Sequence, residues 1–159
     1  MSHPSLGLPP PDRTAGYPAA AARIRGDLFR LGARALRAAM DADPTIGQRY
    51  DEAGQRILLH DAELLAERVA LCLETGDPGL AHEYAEWTAV TYRRRRTPMG
   101  DLVALCEGLR AAFPSVLTPG EMTPASEALD AAIKSYRWHR RIAGDRKRNA
   151  ILQLLYKGA

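Results

Sequence analysis

The residue types best suited to metal binding or nucleophilic chemistry are sparse in this chain. They comprise four histidines and two cysteines: His3, His60, His82, His139, Cys72 and Cys106. None belongs to a Cys-x-x-Cys, His-Glu-x-x-His or Glu-x-x-His motif, the spacings typical of zinc and di-iron sites. The sequence also lacks a glycine-rich phosphate loop and a nucleophile elbow. These absences predict a protein that is not an enzyme and that needs no metal or cofactor.

A cluster of aromatic residues follows the helix start signal Asp77-Pro78. Tyr84 and Trp87 are three residues apart, so they share one face of a helix, and this spacing favours a place in the core. The alternative is a ligand platform. In that case His82, Tyr84 and Trp87 would line a candidate pocket between helices, and the protein would be a sensor of a tetrapyrrole or an apolar small molecule.

Four consecutive arginines, residues 93–96, end the same helical segment. The simplest explanation is that cations at a helix C-terminus complement the helix dipole. Four consecutive residues also sweep around the helix, so we expect at least one arginine to point inward or across an interface. That arginine would hold a carboxylate of a neighbouring helix or subunit. Arg94 is the candidate for an interaction residue in this run.

The charge of the chain is concentrated at its C-terminus. Residues 134–159 carry a net charge of +7, whereas the preceding residues sum to −4. The basic segment contains these candidate interaction residues: Arg137, Trp138, Arg140, Arg141, Arg146, Lys147 and Arg148. Because Trp and Arg are favoured anchors at protein interfaces, the segment predicts docking onto an acidic partner or a second copy. The alternative is association with nucleic acid, since such residues can bind phosphates and stack on bases.

The elements that must position these residues are predicted to be helices. Apolar residues recur every three or four positions, good helix formers dominate, and strand patterning is thin. We predict an all-α, single-domain bundle of six to seven helices at residues 17–143. A flexible arm at residues 1–16 precedes it, and a basic helix at residues 144–159 follows it.

Several helix boundaries can be predicted from local signals. The first helix is expected to run without a break from Tyr17 to about Met40. Gly54 is expected to separate a short helix from a longer one that starts at about residue 55. Gly76 is expected to close that longer helix in a left-handed conformation.

The last long helix has two candidate start signals. Thr118 and Glu121 fit a capping box, in which each side chain accepts a hydrogen bond from the backbone of the other. Thr123-Pro124 has the form of a second start signal, so we expect the helix proper to begin there.

The two cysteines lie in apolar helical patterns, which predicts buried, reduced thiols. The N-terminal residues show no secretion signal, and no apolar run approaches the ~20 residues that a membrane span needs. The expected protein is cytoplasmic and has no membrane span.

Residues 73–109 combine a Gly-Asp-Pro turn, a Tyr-x-x-Trp helix, a short basic turn and a Leu-rich helix. The stretch reads Leu73-Glu-Thr-Gly76-Asp77-Pro78, then Tyr84-Ala-Glu-Trp87, then Arg96-Thr-Pro98, Asp101-Leu102 and Leu109. This stretch resembles the all-helical, globin-like regulatory domain found ahead of cobalamin-binding modules and in stress-signalling co-antagonist proteins. The resemblance implies a globin-like bundle used for signalling or subunit contact. It does not extend to cobalamin, because the Asp-x-His-x-x-Gly motif is missing.

Overall fold

Seven α-helices and a short 3-10 turn, without any strand, make up residues 16–143, which the computed structural model describes. The helices are α1 (Pro18–Gly26), α2 (Leu28–Ala42), α3 (Thr45–Arg49), α4 (Glu52–Thr75), α5 (Gly79–Arg94), α6 (Met99–Ala112) and α7 (Pro119–Ala143). The 3-10 turn spans Phe113–Ser115, between α6 and α7. The prediction of an all-α bundle is therefore confirmed.

Helix α4 occupies the middle of the bundle and contacts α1, α2, α5, α6 and α7. Small side chains on α4 let these neighbours approach, and Ala62, Ala66 and Ala70 are fully buried. The tightest crossing joins α2 and α6. A Cβ atom built on Gly108 would lie 2.3 Å from the carbonyl oxygen of Ala35, so only glycine fits there.

The helix ends follow several of the predicted local signals. Gly76 has a φ of 74° and closes α4 in the left-handed conformation, as expected. The capping box at the start of α7 is confirmed: the Thr118 amide donates to Glu121 Oε2 at 2.8 Å. In return, the Glu121 amide donates to Thr118 Oγ1 at 3.4 Å.

Three predicted boundaries are wrong. The first helix is interrupted at Asp27, whose amide donates to Ile24 and ends α1, after Gly26 has weakened the helix. Gly54 lies in the first turn of α4, where its amide donates to the Asp51 side chain at 2.8 Å. Pro124 lies inside α7, because the capping box has already started that helix six residues earlier.

Two parts of the predicted domain organisation lie outside the described residues. They are the N-terminal arm up to residue 15 and the basic helix at residues 144–159, together with the candidate residues Arg146, Lys147 and Arg148. Within the described range, no helix is both long enough and apolar enough to cross a membrane.

Candidate functional site

Helices α5 and α7 lie side by side and run in the same direction. The Glu86 carboxylate on α5 accepts from Ser135 Oγ at 2.5 Å and lies 3.0 Å from His139 Nε2, both on α7. One and a half turns further along α5, the ring of Tyr92 meets the ring of Tyr136 edge-on, with centroids 6.1 Å apart. The chain enters α5 at Pro78, beside Pro124 near the start of α7, and after α5 it passes Gly100, beside Arg140 near the end of α7, so the C-terminal ends of α5 and α7 are at the same end of the bundle.

This arrangement brings together two arginine clusters that are separated by some forty residues in the sequence. Arg93 and Arg96 lie at the end of α5, and Arg137, Arg140 and Arg141 lie in the last two turns of α7. We call these five arginines the basic end. All five are exposed, and none forms an ion pair with a carboxylate among residues 16–143.

The start of α6 joins the same end of the bundle. A Cβ atom built on Gly100 would lie 4.0 Å from Arg140 Nη1. The turn that follows the arginine run of α5 therefore passes beside the last turns of α7. Both arginine clusters therefore lie at the same end of the bundle.

Arg96 adopts a backbone conformation that normally favours glycine. Its φ is 58°, in the left-handed region, and it is the only non-glycine residue with positive φ in the described part of the chain. Its amide donates to the Arg93 carbonyl at 3.0 Å, and the Thr97 amide donates to the Tyr92 carbonyl at 2.9 Å. This is the Schellman pattern of helix termination, with arginine where glycine is usual.

A groove of about 680 Å³ leads from the basic end along the α5–α7 contact. Its residues include His82 and Glu86 of α5 and Asp130, Trp138 and Arg141 of α7. The Trp138 side chain is half exposed in this groove. Carboxylates on the groove wall and arginines at its end give it a mixed charge.

The Glu86, Ser135 and His139 cluster was not predicted from the sequence. Ser135 and His139 are buried, and the Ser135 hydrogen bond, followed by that of His139, lowers the pKa of Glu86. His139 Nδ1 is buried and has no hydrogen-bond partner among the described residues. Through Glu86, the cluster joins α5 to α7.

Arg95, rather than Arg94, is the arginine of the run that reaches a neighbouring helix. Arg95 Nη1 lies 3.5 Å from Asp61 Oδ1 on α4, and Asp61 is only 4% exposed. Burial raises the pKa of Asp61, while Arg95 and a hydrogen bond from Tyr92 act in the opposite direction. The expectation that at least one arginine would hold a carboxylate of another helix is confirmed. Arg94 itself stays exposed.

A second buried carboxylate lies in the first turn of α6 and had no signal in the sequence. Asp101 accepts from Arg49 Nη2 and from the Tyr50 hydroxyl, each at 2.6 Å. Burial and the hydrogen bond to Asp101 raise the pKa of Tyr50. Asp101 is the acidic residue of α6 nearest the basic end, and its charge is already paired with Arg49 within the chain.

The prediction that Trp87 belongs to the core is wrong. Trp87 is 78% exposed, whereas Tyr84 is buried with the guanidinium of Arg68 4.9 Å above its ring. Side chains three residues apart are rotated by about 300° about the helix axis, so they do not point in the same direction. Tyr84 therefore faces the core, while Trp87 lies just outside it. His82 lines the groove beside α7, whereas neither Tyr84 nor Trp87 lines that groove.

Both cysteines are buried free thiols, as predicted. Burial raises the pKa of Cys72 to about 11 and that of Cys106 to about 12. Among the described residues, no group of three histidine, cysteine or acidic side chains is arranged to hold a metal ion.

No protein-family model and no curated protein matches the chain.

Proposed function

We propose that this protein is a non-enzymatic regulatory domain that binds an acidic protein surface through the basic end. The observation that carries the proposal is the convergence of five arginines without carboxylate partners among the described residues, from two helices, on one end of the bundle. Arginines gathered at one end of the bundle repel one another. A partner of opposite charge reduces this repulsion when it binds.

The backbone of Arg96 supports this proposal independently. A non-glycine residue in the left-handed region costs about 1–2 kcal/mol relative to glycine. Arg96 therefore makes the protein less stable than glycine at this position would. Strained residues of this kind cluster at functional sites.

An acidic protein fits the groove better than a nucleic acid does. Glu86 and Asp130 alternate with cations in the groove lining beside Trp138, a mixed pattern that suits the discrete side chains of a protein better than a continuous phosphate backbone. A protein partner can place an apolar side chain against Trp138 and its carboxylates against the arginines. Trp and Arg together are the usual anchors of such interfaces.

The role as a regulatory domain, and the globin-like arrangement of its helices, rest on the resemblance of residues 73–109 to bacterial signalling domains. The seven described helices are compatible with that arrangement. In this proposal the domain carries a signal by contact with another protein, in the bacterial cytoplasm, and not by chemistry.

The proposal can be tested with Trp138 as the reporter. The chain has two tryptophans, so Trp87→Phe leaves Trp138 as the single tryptophan at the binding surface. In this background, a polyglutamate peptide should change the fluorescence of Trp138, and added salt should weaken the binding. A DNA oligonucleotide of equal charge should bind more weakly than the peptide.

Charge reversal provides the matched control. Arg140→Glu with Arg141→Glu should weaken peptide binding at least about tenfold, because two attractive charges become repulsive. Arg34→Glu with Arg37→Glu, at exposed positions of α2, makes the same change of net charge and should retain binding. Arg96→Gly should raise the melting temperature and yet weaken binding.

Two results would overturn the proposal. One is a fluorescence response that the Arg140 and Arg141 reversals leave unchanged. The other is tighter binding of the oligonucleotide than of the peptide, which would support the nucleic-acid alternative.

A further inference from the structure

The outer face of α5 carries a row of four exposed residues that ends beside the basic end. They are Glu83, Trp87, Val90 and Arg94, and we call them the α5 stripe. Trp87 is 78% exposed and Val90 is 43% exposed, although both are apolar. The row therefore has an apolar centre, an acid at one end and a base at the other.

The spacing of the α5 stripe is that of a helix–helix seam. Its residues are separated by four, three and four positions, the repeat of alternating apolar positions in a coiled coil. At 100° per residue, the four side chains fall within an arc of about 60° on the helix surface. A second helix could contact all four at once.

The neighbouring helix α4 also carries an exposed apolar residue, Leu64. That helix contacts α5 through Asp61 with Arg95, and again through Arg68 with Tyr84. Leu64 lies between these two contact points on α4 and is 40% exposed. It is therefore at about the level of Val90 along α5.

We infer that the α5 stripe binds the same stripe of a second copy of this chain, with the two α5 helices antiparallel. A two-fold axis between Trp87 and Val90 places Trp87 against Val90 of the partner subunit. It also places Glu83 against Arg94 of the partner subunit, and the symmetry makes each contact twice.

The charge pattern selects this occupant and this orientation. In a parallel pair, like charges would face each other at both ends of the stripe, which is unfavourable. In the antiparallel pair, both ends are complementary and the apolar centre is covered. In this arrangement Arg94, the interaction residue expected from the sequence, acts in the α5 stripe rather than at the basic end.

Sedimentation velocity of the full chain over a range of concentrations tests the inference. The wild type should dimerise, and Trp87→Glu should be monomeric. Glu83→Arg and Arg94→Glu should each raise the dimer dissociation constant about tenfold or more, because two attractive pairs become repulsive. Glu127→Arg, at an exposed position of α7, is the matched charge control and should leave the dimer intact.

Mixing the two single variants is the most specific measurement. The arginine introduced at position 83 then faces the glutamate introduced at position 94, and the unaltered Arg94 faces the unaltered Glu83. The mixture should form heterodimers with about wild-type affinity, and the double variant Glu83→Arg, Arg94→Glu should form homodimers again. Circular dichroism of each variant checks that it is folded.

The inference is overturned if the wild type is monomeric throughout. It is also overturned if folded Trp87→Glu still dimerises, or if the mixture remains as weak as its components. Peptide binding at the basic end does not depend on any of these outcomes.

Discussion

Asp61 is a buried acid whose charge is balanced by a side chain that itself reaches solvent. The Arg95 guanidinium is about half exposed, at 48%, and contacts Asp61 at 3.5 Å. Burial disfavours the carboxylate form and raises its pKa above the ordinary value of 3.8. Stability from this group is thus greatest when it is protonated, and it falls as the pH rises through the raised pKa.

Removing the Arg95 cation should make the fall in stability with rising pH steeper. We expect Arg95→Gln to lower the free energy of unfolding by about 1 kcal/mol at neutral pH, a modest value because the guanidinium is half exposed. The loss should shrink as the pH falls toward the ordinary pKa of Asp61, where the acid is neutral in both variants. Urea unfolding at several pH values measures it.

Arg93→Gln is the control, since Arg93 is exposed and has no carboxylate partner among the described residues. Equal losses in both variants, or a loss that does not change with pH, would contradict this account of Asp61.

The sequence could predict that an arginine of this run would turn inward, because four consecutive positions cover the whole helix. It could not predict Asp61 as the partner. That pairing depends on the register between α4 and α5, which is set by packing and not by any local signal.

At the scale of the element, Gly108 of α6 makes the close crossing with α2. A Cβ atom there would meet the Ala35 carbonyl oxygen at 2.3 Å and its Cα at 2.8 Å, both backbone atoms that cannot move aside. We expect Gly108→Ala to lower the free energy of unfolding by about 1–3 kcal/mol, because the two helices must separate.

Gly120 provides a matched comparison, since nothing lies within 4 Å of a Cβ atom built on it in α7. There the same substitution should be neutral or stabilise by up to about 1 kcal/mol through the higher helix propensity of alanine. Chemical denaturation of the two variants measures the difference, and destabilisation of equal size would refute the crossing.

Local signals predicted helix starts and ends where the side chain involved acts within a few residues, as at Gly76 and in the Thr118 capping box. They failed where packing decides. Pro124 has the sequence form of a helix start, but the buried Ala125 and Leu129 hold it inside a longer helix.

At the scale of the whole molecule, the cysteines report on unfolding of the entire bundle. The thiolate is the reactive form, and burial raises the pKa of Cys106 to about 12 and that of Cys72 to about 11. At neutral pH we expect iodoacetamide to modify neither thiol in the native protein, and both once denaturant unfolds it. Mass spectrometry of timed samples gives the rates.

The two thiols should become reactive over the same denaturant range if the bundle unfolds as one unit. Modification of Cys106 in native buffer, at the rate of an exposed thiol, would show that α6 opens separately from the rest.

The arrangement of the charged surface could not be predicted from the sequence. The two arginine clusters are visible in the sequence. They lie at the same end of the bundle only because α5 and α7 are parallel neighbours. That order follows from the packing of all seven described helices. The exposure of Trp87 could not be predicted either. Two residues three positions apart can both face the core, or one of them can lie just outside the buried face of the helix.

The entry of the chain into the bundle has a practical consequence. Gly16 has a φ of 62°, and a Cβ atom there would lie 2.2 Å from the Glu74 carbonyl oxygen, while the Tyr17 amide donates to the Leu73 carbonyl at 2.5 Å. The backbone at residue 16 is thus fastened to the C-terminal end of α4, near the start of α5, and so opposite the basic end. A surface tether attached directly ahead of Gly16 would therefore leave the bundle at the end opposite the arginines.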